Sequence, residues 1–285
     1  MTPLTETAVP TLDAWASELR AQGYSPATVR ARTYALRSLC KHADVEAHEL
    51  TRDDVLAWLG AANRAQWTRV KYLEHVKSWS RWSGIDGLVD GIRKPRAPIG
   101  LPRPVGEDAL AAMLAVARPG PELAWLLLGA YCGLRAHESA KVCGSDLELR
   151  PSGDWVLRVL GKGQQLAVVP CPPVVVAELQ RVARGRRGRL WPTASSARVQ
   201  VTVRRVAARA GVVCTSHQLR HRYGTALYGE SRDLLLTQQA MRHRSPATTA
   251  GYALVTADRV AQVAARLPGA GRETALSQPR LYVVR

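Results

Sequence analysis

Between residues 9 and 83, apolar side chains recur every three or four positions, the spacing that lays one stripe along a helix. Thr11–Ala21 carries Leu12, Trp15 and Leu19 on such a stripe. Ser25 and Pro26 supply an N-cap and a proline at the first helical position, opening a helix over Ala27–His42. Thr51, with Asp53 and Asp54 behind it, starts another that runs into Val55, Leu56, Trp58 and Leu59. Arg64–Trp82 repeats Trp67, Val70, Leu73, Val76 and either Trp79 or Trp82. The pattern predicts a small helical domain over residues 1–90 with basic outer faces.

The periodicity stops at Gly91–Pro104, which holds four prolines, two glycines and four basic residues (Arg93, Lys94, Arg96 and Arg103). Proline at this density excludes a long helix or a central strand. Residues 91–105 therefore read as a linker, either tracking a phosphate backbone or simply solvated. Beyond it, 106–267 reads as a second domain. Helices are expected over Glu107–Ala117, Pro121–Cys132, Pro172–Ala183, Ser195–Ala210, Ser216–Tyr228, Asp233–Met241, Ser245–Leu254 and Thr256–Arg266. Two strand-like runs, Asp154–Leu160 and Gln165–Pro170, flank Gly161-Lys162-Gly163, a hairpin signal. Residues 268–285 form a tail that ends in the apolar Leu281-Tyr-Val-Val284, able to dock on its own sheet or on a neighbouring protomer. The expected fold is mainly α with a small antiparallel sheet.

Charge narrows the choice of partner. The net charge of +17 is uneven: residues 1–100 hold 14 Lys and Arg against 11 Asp and Glu, and residues 101–285 hold 26 against 12. A basic excess of this size points to a polyanion such as nucleic acid, with a solvated surface as the plainer alternative. No apolar run is long enough for a membrane span, and the N-terminus lacks the basic and apolar regions of a secretion signal. Five cysteines, none in a Cys-x-x-Cys pair, read as reduced thiols of a cytosolic protein.

The candidate chemistry lies toward the C-terminus. His217, Arg220 and His221 share one helix face, and nine residues separate His243 from Tyr252. Arginine neutralises a phosphate, and a phenol with a pKa of about 10 needs help to act as a nucleophile. Ser216 reads as the N-cap that places His217 in the first helical turn. The His217/His221 pair is also spaced for zinc, but Gln218 stands where a zinc peptidase would need glutamate. Gly133-Leu-Arg135 follows an apolar helix, and Glu138 could hold the Arg135 fork stiffly or form a plain surface pair with it. Lys162 is placed to act as a general acid or to be an exposed turn residue.

In order and spacing these residues resemble the tyrosine recombinase (phage integrase) family over roughly residues 9–266. The resemblance implies Tyr252 as nucleophile and Arg135 and Arg220 as stabilisers of the phosphorane. It makes Lys162 the general acid, His217 a proton-transfer group, His243 a phosphate donor and Glu138 a support; His221 matches a common flank. It implies DNA contacts from Arg93, Lys94, Arg96, Arg103, Arg242 and Arg244, and no cofactor, ATP or metal. Gln164-Gln-Leu-Ala and Arg242 depart from the family pattern, which more often has basic residues and glycine there. The expected partner is duplex DNA, bound by a homotetramer assembled from monomers, with a possible accessory bending or directionality factor. Only about eight residues precede the first helix, so compact sites without arm-type binding are expected. The expected role is integration of a temperate phage or mobile element in a bacterial cytoplasm, at the nucleoid. A resolvase or invertase, a type IB topoisomerase and a catalytically silent DNA-binding regulator are the alternatives.

Overall fold

A computed structural model describes residues 9–61, 64–96, 101–161, 166–243 and Tyr252. The chain divides into two compact units, Met1–Ile99 and Gly100–Arg285. The first contains α1 (Leu12–Ala21), α2 (Pro26–Ala43), α3 (Arg52–Gly60) and α4 (Gln66–Ser83). Three of these four starts follow from side-chain caps, and α4 begins after Ala65 without one. Thr11 and Ser25 cap α1 and α2, and Thr51 closes a reciprocal capping box with Asp54 on α3.

Phenylalanine is absent from the chain, and tryptophan fills its place in this unit's core. Trp15, Trp58 and Trp79 are fully buried, with Trp15 meeting Trp79 edge-on at 5.4 Å. Trp67 departs from the expected stripe: it sits in the first turn of α4 and is 51% exposed.

The second unit holds α5 (Glu107–Val116), α6 (Pro121–Cys132), α7 (Ala136–Ser139), β1 (Leu147–Leu149), β2 (Trp155–Leu160) and β3 (Leu166–Pro170). After these come α8 (Pro173–Ala183), α9 (Ser196–Arg209), α10 (Ser216–Ser231) and α11 (Leu234–Met241). The sheet is antiparallel in the order β1-β2-β3, with Leu160 opposite Leu166 at the hairpin end. The strand β1 and the single turn α7 are not among the elements expected from the sequence. Three and four residues are too few to show a period.

The helix α6 is apolar on nearly every face and packs against α8, α9 and α10. Gly129 lets α10 approach, since a β-carbon there would lie 3.0 Å from Leu219 Cβ. This close crossing brings the C-terminal end of α6 beside the first turns of α10.

Thr215, not Ser216, caps α10. Its hydroxyl accepts from Gln218 N–H at 3.3 Å, while Gln218 Oε1 accepts from Thr215 N–H at 3.0 Å. His217 remains in the first turn. Lys162, Arg244, the tail and the helices expected over 245–254 and 256–266 lie outside the described residues, Tyr252 excepted. All five cysteines are free. No described helix is long and apolar enough to cross a membrane.

Candidate active site

Gly133 ends α6 at φ +61°, in the left-handed region that favours glycine. A β-carbon on it would lie 2.4 Å from the ring of Tyr223. The turn releases Arg135 as the N-cap of α7. Glu138 Oε2 accepts from Arg135 N–H at 2.8 Å, and Glu138 Oε1 accepts from Arg135 Nη1 at 2.9 Å. The Glu138 side chain is fully buried, which separates this pair from a surface ion pair. Burial works to raise the Glu138 carboxyl. Arg242, the Arg135 backbone N–H and the Arg135 side chain together hold it below the usual carboxylate value.

Arg220, on α10, is 1% exposed. Its guanidinium donates to the Gly133 carbonyl at the end of α6 and to the Met241 carbonyl at the end of α11. Carbonyls fix its direction without cancelling its charge. Burial, then Arg135 and Arg242, pull its pKa down to about 9, so it stays cationic at neutral pH.

His217 lies at the exposed mouth, with His221 one turn below it; their ring centroids are 4.3 Å apart. A cavity of about 440 Å³ opens here, lined by Arg135, His137, Gln200, Arg204 and His217 among others. Partial burial, then Arg220 and Arg135, holds His217 below its ordinary value. His221 and His243 are pulled to about 4, in each case by burial first. Next for His221 come His217 and Arg220, and for His243 Arg220 and Arg135. Among the described residues, no cluster of three or more His, Cys, Asp or Glu is arranged to hold a metal.

Tyr252 is helical and 1% exposed. Its hydroxyl hydrogen-bonds His221 Nδ1 at 3.2 Å, and its ring lies parallel to His243 with centroids 6.2 Å apart. Burial raises the phenol to about 12, against the opposing pull of Arg220 and Arg135.

The structure therefore gathers Arg135, Glu138, His217, Arg220, His243 and Tyr252 around one point. It adds two residues that the sequence alone does not assign to the site. His221 reads there as a flank, although its i, i+4 spacing from His217 puts it on the same face. Gly224, i+4 from Arg220, is the floor beneath the Tyr252 ring. Arg242 turns inward to Glu138 at 2.8 Å. Arg93, Lys94, Arg96 and Arg103 are exposed, and Lys94 pairs with Glu74 at 3.0 Å.

A buried nucleophile candidate beside fixed guanidiniums, in an α-helical unit with a small sheet, is the architecture of an enzyme that breaks and rejoins DNA. Comparison with known proteins bears on this directly. Residues 107–259 match the phage integrase family. Tyrosine recombinase XerA of Thermococcus kodakarensis is 30% identical over 264 residues, covering 86% of this chain and 92% of the relative. XerC of Rhodospirillum centenum is 33% identical over 238 residues, covering 73% and 68%.

Among solved structures, XerH bound to its palindromic difH substrate aligns with a TM-score of 0.67 at 16% identity, covering 89% of this chain and 83% of that one. Lambda integrase bound to DNA (residues 75–356) aligns at 0.65 and 15%, covering 82% and 91%. These two likenesses concern the fold. The chain belongs to the phage integrase family. It is a tyrosine recombinase, of the family that cleaves and rejoins DNA through a tyrosine-linked intermediate.

Proposed function

We propose that this chain integrates the DNA of a temperate phage or mobile element, with Tyr252 as nucleophile. The observation that carries the assignment is the Tyr252 hydroxyl at His221 Nδ1, beside the buried cation Arg220. Tyr252 Oη attacks the scissile phosphorus, and the bond from phosphorus to the 5′-oxygen breaks. The phenol's proton passes to the His217–His221 pair. Arg135 and Arg220 stabilise the phosphorane, where negative charge grows during the reaction. His243 donates to a phosphate oxygen, and Lys162 protonates the departing 5′-oxygen. The bond energy is kept in the phosphotyrosyl link, so the step uses neither ATP nor metal.

Duplex DNA is the partner, held largely through phosphate contacts and therefore salt-sensitive. The exposed Arg93, Lys94, Arg96 and Arg103, together with Arg244, contribute to those contacts. A lambda integrase tetramer bound to a Holliday junction aligns with this fold, and four copies on two sites is the assembly we assign here. The reaction takes place in the cytoplasm, at the nucleoid.

A second reading is resolution or inversion by the same chemistry, since the relatives named XerA and XerC are tyrosine recombinases without a phage in their names. DNA flanking the gene separates the two. A core sequence shared with a host tRNA gene supports integration, and a paired site within one replicon supports resolution. The chemistry itself is tested with a nicked suicide duplex, which should trap a covalent protein–DNA adduct. An adduct that persists in Tyr252→Phe would remove Tyr252 as nucleophile.

A further inference from the structure

The C-terminal end of α11 places an arginine where the backbone favours glycine. Arg242 caps the helix at φ +53°, in the left-handed region that disfavours a β-carbon. Its side chain does not reach outward for solvent. Nη2 donates to Glu138 Oε2 at 2.8 Å and reaches the Gly133 carbonyl at 3.4 Å. Nε and Nη1 are buried with no hydrogen-bond partner among the described residues. Backbone strain and two idle buried donors are both costs. A residue kept in spite of them invites a reason outside stability.

The reason is visible in what Arg242 closes. Glu138 gives one oxygen to Arg135 and the other to Arg242. The Arg242 carbonyl in turn accepts from Arg135 Nη2 at 3.5 Å. Arg135, Glu138 and Arg242 thus form a closed ring that ties α7 to the end of α11. His243, the next residue, leaves from that ring.

We propose that Arg242 is a positioning residue for DNA cleavage: it grips Glu138 by its second oxygen and so fixes both Arg135 and the point from which His243 departs. The proposal rests on the recombinase reading above. Without Arg242, a buried carboxylate keeps fewer cations beside it and takes up a proton at higher pH. A protonated Glu138 no longer holds the Arg135 fork.

The groups facing Glu138 are Arg135 and His137 from the α7 turn, Arg242 from α11 and Arg220 from α10. Glu138 also borders a cavity lined by Lys141, Cys143, Asp146, Arg158 and Arg189. Cys132 and Tyr223 lie close enough to Arg242 to feel its charge.

The test uses the full chain and a duplex selected from a random-sequence library by covalent capture on the wild-type protein. Phosphotyrosyl adducts survive denaturation, so stringent washing leaves only the duplexes that were cleaved. Failure of the wild type to capture any duplex overturns the recombinase reading and this proposal with it. With a duplex in hand, adduct formation is followed against pH for Arg242→Gly, Arg242→Lys and Arg242→Gln. Glycine relieves the backbone, so it is the variant best placed to fold.

Arg242→Gly should bind the duplex within about threefold of wild type, cleave about tenfold or more slowly near pH 6, and recover toward pH 8 as its acid limb moves up. Lysine should restore most of the rate and the wild-type acid limb, and glutamine neither. A wild-type rate in Arg242→Gly overturns the proposal. So does a loss of equal size at every pH, or a lysine variant no better than glutamine, since each marks a merely structural role.

Discussion

Tyr252 lies directly across Gly224: a β-carbon on that glycine would come within 2.6 Å of Tyr252 Cζ and 2.9 Å of its hydroxyl oxygen. One turn of α10 thus supplies both the floor for the ring and, through His221, the partner for its hydroxyl. Gly224→Val should push the ring aside and break the His221 contact. We expect adduct formation to fall by about tenfold or more, the scale of a misplaced reacting group, with duplex binding little changed. Parallel measurements of adduct yield and mobility shift check this. A wild-type cleavage rate would show that the phenol reacts from a different position.

The histidines predict proton uptake on DNA binding. His221 and His243 are held near 4, and His217 below its ordinary value, by burial and neighbouring cations. A phosphodiester beside Arg220 brings negative charge and raises all three. Between about pH 4 and 6.5 the bound complex should therefore carry more protons than the free components. Titration calorimetry near pH 5 in two buffers of different ionisation enthalpy should report that uptake. The sign for the free protein is the reverse. Basic groups whose folded pKa is lowered bind fewer protons than in the unfolded chain, so its stability falls as pH drops through the same window.

Glu122 predicts a separate acid effect, away from the nucleophile. It joins the start of α6 to Arg209 at the end of α9, and that pairing first, then the Arg118 backbone N–H, holds it near 2. A depressed carboxyl stabilises the fold above its unfolded pKa of about 4.3 and loses that contribution as pH falls toward 2. Glu122→Gln should lower the thermal midpoint at neutral pH, with the difference from wild type shrinking to nothing near pH 2. Thermal scans across that range decide it. A constant offset would mean the glutamate acts through packing.

The sequence shows the scaffold better than the orientations within it. Pro121–Cys132 is readable end to end because a proline opens it and a glycine closes it, with continuous apolar residues between. His217 and Arg220 are readable as a pair because three residues is a helical repeat. The three-residue strand β1 leaves no period to read. Arg242 is legible only as a DNA contact at a position that more often holds glycine; it turns inward because its direction is set by Glu138, more than a hundred residues earlier in the chain. His221 is legible as a residue of the same helix face but only as a flank, because only the entry of the Tyr252 ring gives its Nδ1 a task. Contacts made across the fold leave no local trace.

Arg135, Arg220 and Arg242 crowd around a single carboxylate, Glu138, whose two oxygens are already taken. Packing holds these like charges together against their mutual repulsion. Under the proposed function, a phosphodiester approaching Arg135 and Arg220 is the counterion the protein itself withholds. On that reading DNA is a structural component as well as a substrate, because its backbone would complete the charge balance of the site. Strand exchange begins by finishing the fold.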